Sequence, residues 1–192
     1  MNLIKRLVHR TKMWYTDLGE GCLRQLANGG NSMINHNNAH YGALDVAKYC
    51  LYYCTKIGNP ISNLQLQKIL YYVQAKFLVE RNAPCFKDAI VAWKYGPVVE
   101  SVYHNYKYNF ADAIKVKSNT SEISVQDQTL INDICDIKSA CDAFELVRAT
   151  HEEDPWREIW GDEFESPNSG ASISNESLYK YFAVNRGLLA KA

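Results

Sequence analysis

Residues 60–82, PISNLQLQKILYYVQAKFLVERN, decide the fold class. Ser62 followed by Gln65 is a capping-box pattern, in which each side chain meets a backbone N–H left open at a helix start. Ile61 and Leu66 flank that cap at the positions of a hydrophobic staple, a second signal for the same helix entry. Beyond it Leu66, Leu70, Val73 and Phe77 recur at helical spacing and make a buried stripe. Ile69, Tyr72 and Val79 widen the apolar face, which predicts a helix packed on more than one side.

Upstream, ALDVAKYCLYYCTK (43–56) sets Leu44, Ala47, Leu51 and Cys54 on a core-facing helix that Gly58-Asn59-Pro60 stops. Downstream, FKDAIVAWKYG (86–96) is rich in β-branched and aromatic residues and predicts a short β element near residues 89–95. A strand needs a partner, and AIKVK (113–117) is the nearest candidate. Gly96 and Pro97 read as the strand's end and a helix start, with proline at a first helical position where its missing N–H costs nothing. Val98, Val102, Tyr103 and Tyr106 carry that helix to the neighbourhood of Tyr108. Further helices are expected from Ser124, with Asp127 in capping register, and from Ser139 with Asp142, carrying Cys141, Phe144 and Val147. Asp154-Pro155 caps a short turn holding Trp156 and Trp160. Near the end Ile173-Ser174-Asn175 before Leu178 echoes the entry device of Ile61-Ser62-Asn63 before Leu66. The whole reads as mainly α, a compact multi-helix domain with one short β element.

At 192 residues one domain is the simplest reading. The formal net charge is zero, so no overall field draws in nucleic acid or an anionic membrane. Residues 1–32 carry a net +3 and the remainder −3, which makes nucleic acid an unlikely partner of the larger body. Six cysteines, at 22, 50, 54, 85, 135 and 141, form no C-x-x-C pair and no Cys-His cluster at zinc spacing. They read as buried thiols, with no metal or cofactor implied. The opening MNLIKRLVHRTKMWY is basic without a continuous apolar core, and no apolar run is long enough to span a membrane. The expectation is a soluble protein of a reducing cytoplasm.

Residues 19–42 are rich in Gly, Asn and His and lack periodicity. The expected organisation is a flexible N-terminal arm over 1–42, a helical domain over 43–185 and a tail over 186–192. An alternative start lies at Met33: Gly29-Gly30 stands two residues before it, and GGAGGN codons there would be a bacterial ribosome-binding sequence. On that reading residues 1–32 are translated leader.

His151-Glu152-Glu153-Asp154 is the most suggestive cluster for proton transfer or metal binding. It lacks H-E-x-x-H spacing, and a histidine beside acids at a helix end is more often a structural, hydrogen-bonded group. No nucleophile elbow, P-loop or G-x-G-x-x-G is found, so nothing positive points to an enzyme. Thirteen tyrosines, several beside lysines as in Lys68 with Tyr71 and Tyr72 or Lys94 with Trp93 and Tyr95, suit either stacking on single-stranded nucleic acid or a protein interface. The neutral-to-acidic body favours the protein interface. Tyr72 and Trp93 also fit as rings wedged between helices.

In order along the chain, ALDVAKYCLYY, ISNLQLQKILYYVQAKFL, AWKYGPVVESVY, THEEDPWREIW and ISNESLYKYF resemble the Panacea family, the SocA-like antitoxin domain, over residues 43–182. The resemblance implies a compact, mainly helical domain of bacteria, phages and prophages that neutralises a toxin encoded beside it. It implies an antitoxin of a type II toxin-antitoxin system that binds a protein toxin directly, and no catalysis. The competing class is a phage or prophage interaction module that acts on a host factor. Trp93, Lys94, Tyr95, Tyr71, His151 and Trp156 are the candidate partner-binding residues. The W-K-Y-G-P-V segment, intact at Trp93–Val98, is the centre of that set.

Overall fold

The structure, a computed structural model, describes residues 39–161 and 166–190. Most of the expected arm, with Met33, lies outside the described residues, as do the last two residues of the expected tail. Seven helices are described: α1 (Ala43–Lys56), α2 (Asn63–Arg81), α3 (Glu100–Tyr106), α4 (Val125–Lys138), α5 (Ala143–Glu152), α6 (Asp154–Trp160) and α7 (Asn175–Val184). With them run three short strands, β1 (Ile90–Trp93), β2 (Gly96–Val98) and β3 (Ser172–Ile173). The mainly α reading holds.

Helix α2 is the axis. Ser62 caps it as the sequence predicts: its hydroxyl accepts from Gln65 N, and the Gln65 amide oxygen accepts from Ser62 N at 3.0 Å. Asn82 ends it in the left-handed conformation at φ 53, a role asparagine tolerates. Helices α1, α3, α4, α5 and α7 and strand β2 all pack on it. Leu66, Ile69, Leu70, Tyr71, Tyr72 and Val73 have no exposed surface. A helix surrounded on this scale must bury its polar side chains as well, and each then needs a partner.

Those buried polar groups fasten the connecting loops. Asn63 Nδ2 donates to Tyr103 O at 3.2 Å, and Gln65 Nε2 to Cys141 O at 2.9 Å. The Gln74 amide oxygen accepts from Cys85 N at 3.0 Å and Phe86 N at 3.2 Å, while its Nε2 donates to Phe86 O. Lys76 Nζ reaches Leu189 O at 3.2 Å, beyond α7 in the 3₁₀ turn Arg186–Leu189. Backbone groups that the loops cannot pair among themselves are thus met from the axis.

Three expectations are corrected. The partner of β1 is not 113–117: β1 lies between β2 and β3, antiparallel to both, with Val91 opposite Val98 and Ile90 opposite Ile173. Residues 113–117 instead run past the start of α2, where Ile114 N donates to Ile61 O at 2.8 Å. Pro97 is not a first helical residue but sits in β2, and α3 begins at Glu100. Finally, α5 is capped by Asp142 in a capping box with Glu145, whereas Ser139 closes α4. The entry read at Ser174 holds, with its hydroxyl accepting from Ser177 N at 3.0 Å.

The described cysteines, Cys50, Cys54, Cys85, Cys135 and Cys141, are free, and all but Cys141 are buried. No helix among the described residues is long and apolar enough to cross a membrane.

Candidate functional site

The W-K-Y-G-P segment forms a hairpin. Trp93 pairs with Gly96, and Lys94 and Tyr95 make the turn. Neither turn residue has positive φ, and Gly96 follows at φ 94. A turn of that kind followed by a left-handed glycine is a common tight hairpin closure. Glycine is required here for space as well. A Cβ at position 96 would lie 2.7 Å from Thr150 Oγ1 and 2.8 Å from Lys68 Cε.

Pro97 fits because of its partner strand. Opposite it, Ala92 turns both backbone groups the other way, its N–H to Ala171 O at 2.9 Å and its C=O to Gly170 N at 2.8 Å. Position 97 is therefore asked for no inward N–H, which proline lacks. The outer edge of β2 is closed by α2: Lys68 Nζ donates to Pro97 O at 2.9 Å, and Gln67 Oε1 accepts from Val99 N at 2.9 Å. Two side chains of a helix stand where a neighbouring strand would be.

Behind the hairpin lies a layer of rings and buried charge. Trp156 Nε1 donates to Trp93 O at 3.0 Å. His151 lies close to the Lys94 backbone and stacks on Trp156, with centroids 3.9 Å apart and planes 6° from parallel. Trp156 in turn stacks on Trp160 at 5.4 Å. Deeper still, Tyr72 Oη donates to Glu153 Oε1 at 2.8 Å, and Lys138 Nζ stands 3.9 Å from the Tyr72 ring centre. Tyr71 faces the same carboxyl, and burial and then Glu153 raise its pKa, but it makes no hydrogen bond of full geometry, and Glu153 Oε2 is unpartnered.

Burial governs the ionisation of this layer. It pushes Glu153 up to about 7, against the pull of Tyr72, Tyr71 and Lys138. It brings Lys68, which has no exposed surface, down to about 7. His151 is lowered by burial and by the nearby Lys68. These groups share the rear of the hairpin.

The front of the hairpin is open. Trp93, Lys94, Tyr95, Tyr103, Lys107 and Phe110 are prominent in the lining of a groove of about 410 Å³, floored by Asn63, Leu64, Gln67 and Val98. The Trp93 and Tyr103 rings meet edge to face, 4.8 Å apart. Tyr95 is 57% exposed and Phe110 80%, large apolar surface for a folded protein to leave in water. The floor amides are already committed, since Gln67 Nε2 donates to Asn63 Oδ1 at 2.9 Å. The lining contains no carboxylate, histidine or cysteine among the described residues. Among the described residues no group of three or more His, Cys, Asp or Glu is placed to hold a metal ion. The arrangement offers apolar contact and positive charge.

The six residues singled out from the sequence fall into three layers. Trp93, Lys94 and Tyr95 face the groove. His151 and Trp156 brace the hairpin from behind, and Trp156 is 4% exposed. Tyr71 is fully buried beside Glu153. In this conformation Trp156 and Tyr71 support the surface instead of forming it. Sequence reasoning missed Tyr103 and Phe110 of the lining, and beneath it missed Gln67 and noted Lys68 only as a lysine beside tyrosines. A helix apolar on every side was the available signal for the last two, because its polar residues had to be buried.

Comparison with known proteins finds a family that part of this chain is similar to. Residues 66–157 match the family described as antitoxin SocA-like, Panacea domain. The antitoxin SocA of Caulobacter vibrioides (strain NA1000 / CB15N) is 41% identical over 64 residues, 33% of this chain and 34% of that protein. The match thus spans about a third of the length of that curated relative. No solved structure matches the chain.

Proposed function

From the match of residues 66–157 to the SocA-like Panacea family, we propose that this chain is the antitoxin of a type II toxin-antitoxin system. It neutralises a protein toxin, encoded by an adjacent gene, by direct binding and without chemistry of its own. The observation that carries the reading is the hairpin Trp93–Val98, held from behind by Lys68 and Trp156 while its Tyr95 and Lys94 face an open aromatic groove. Binding through a surface that is already ordered avoids the entropy cost of ordering it on contact. A neutraliser that must hold its target benefits directly. The titratable groups of the rear layer, Lys68 and Glu153, are almost wholly buried, which suits a structural role.

The test is genetic and biochemical. Expression of the adjacent gene alone should arrest growth, and co-expression of this chain should restore it through a complex that survives co-purification. The dissociation constant expected for such a complex is about nanomolar, or about −12 kcal/mol. Rescue without a complex, or no toxicity from either neighbouring gene, would overturn the assignment and favour a phage or prophage module acting on a host factor.

A further inference from the structure

We propose that the groove beside the hairpin receives a short segment of the partner polypeptide in which a large apolar anchor side chain is flanked by carboxylates. The inference rests on the antitoxin reading only for the identity of the partner; the chemistry comes from the groove. Three observations fix that chemistry.

The first is charge. Among the described residues the groove carries Lys94 and Lys107 and no acidic side chain, although the chain beyond residue 32 has a net charge of −3. It is a local positive site on an acidic body, which favours a segment with one or two carboxylates. A polyanion is disfavoured, because nucleic acid binding draws on many cations at once and the rest of the body repels it. The second is the floor. Asn63 Nδ2 is bound to Tyr103 O, and Gln67 spends its amide on Asn63 Oδ1 and Val99 N. With those groups committed, the walls of Trp93, Tyr103 and Phe110 select by apolar fit. A volume of about 410 Å³ is in the range of pockets that take small ligands or anchor side chains.

The third is the edge of the sheet. An exposed strand edge commonly recruits a peptide by adding a strand. Here β2 cannot do so: Pro97 has no N–H, its carbonyl is taken by Lys68, and the next N–H, of Val99, is taken by Gln67. Recognition must therefore run through side chains, which makes it dependent on the partner's sequence.

The experiment is a selection of random twelve-residue peptides displayed on phage against the full chain, in parallel with the Lys94→Glu/Lys107→Glu double variant and with Phe110→Ser. The expected peptides place Asp or Glu beside Trp, Phe, Tyr or Leu. A synthetic peptide of that consensus should bind the double variant at least tenfold more weakly and should weaken as sodium chloride is raised. Far-ultraviolet circular dichroism confirms that each variant is folded, and Phe110→Ser tests the apolar wall without altering charge. Selected peptides with no acidic preference, equal binding to both variants, or no peptides at all would overturn the proposal. So would tight, salt-sensitive binding of a fluorescent twelve-nucleotide oligothymidine that competes with the peptide. The selection uses no toxin, so its failure leaves growth rescue standing. Failed rescue with a successful selection removes the antitoxin reading alone.

Discussion

Replacing Gly96 by alanine attacks the joint at its tightest point. Two penalties follow from the geometry. The residue sits at φ 94, and a side chain held with positive φ costs about 1–2 kcal/mol. The new methyl would also lie 2.8 Å from Lys68 Cε and 3.0 Å from its Nζ. Lys68 must then withdraw, giving up its bond to Pro97 O, and below pH of about 7, where Lys68 is charged, such a bond is worth about 1.5–3 kcal/mol. Together the expected loss is about 2.5–5 kcal/mol. In a domain of this size each kcal/mol moves Tm by about 2–4 °C, so the midpoint should fall by roughly 5–20 °C. Differential scanning calorimetry on the parent, Gly96→Ala, Lys68→Met and the double variant resolves the two contributions. In the Lys68→Met background the lost bond no longer counts, so Gly96→Ala should cost less by about 1.5–3 kcal/mol. A Gly96→Ala midpoint within a degree of the parent, or strictly additive effects, would refute the account of Lys68 as the strut under the hairpin.

The remaining predictions test its surroundings. Glu153 is raised from 4.5 to about 7, so the native state keeps a proton that the unfolded chain has lost, and stability should decline as pH rises from about 4.5 to 7. Lys68 is lowered from 10.5 to about 7, so the unfolded chain holds the extra proton and stability should recover from about 7 to 10.5. Urea midpoints across pH should therefore pass through a minimum near neutrality, and Glu153→Gln should flatten the acidic limb; a maximum at pH 7 would contradict both directions. Trp156→Phe retains a ring against His151 but removes the indole donor to Trp93 O, and urea unfolding should show a loss of about 0.5–1.5 kcal/mol. Gln74→Leu strands the N–H groups of Cys85 and Phe86, with a loss of about 2–4 kcal/mol expected in the same assay; unchanged stability would mean the loop finds other partners. A chain starting at Met33 should give the same melting temperature as the full chain, and a fall of many degrees would show that residues 1–32 pack on the body.

What could be read from the sequence was local. The cap and staple at Ile61, Ser62, Gln65 and Leu66 announce α2 because a helix start is decided by residues a few positions apart. Ser174 announces α7 for the same reason. Gly96-Pro97 was misread because a proline after a strand suits a helix start as well as an edge strand. The choice between them is made by Lys68, 29 positions away, and by Gly170 and Ala171 on the far side of β1. Residues 113–117 had strand composition and lacked only an open edge, since β3 already occupied the one beside β1. Tyr71 and Trp156 were placed on the surface because an aromatic ring with a polar tip suits an interface and a core equally. Their burial depends on Glu153 and on the Trp93 carbonyl, neither of which is a neighbour in sequence.

The placement of Lys68 is the strongest link between the fold and the proposed role. A leucine at position 68 would fill interior space beside Gly96 without bringing an amine out of water. It would leave Pro97 O open, and with it part of the outer edge of β2. An open edge beside exposed Tyr95 and Phe110 is the combination from which chains pair with their own copies. Lysine costs stability in the interior, but it lets the rings remain exposed while the backbone beside them is closed. The same contact holds the turn in one geometry, so that under the proposed function Lys94 and Tyr95 would meet a partner already in place. Contact there would be limited to side chains that a partner must match, a restriction that so much apolar surface in water calls for.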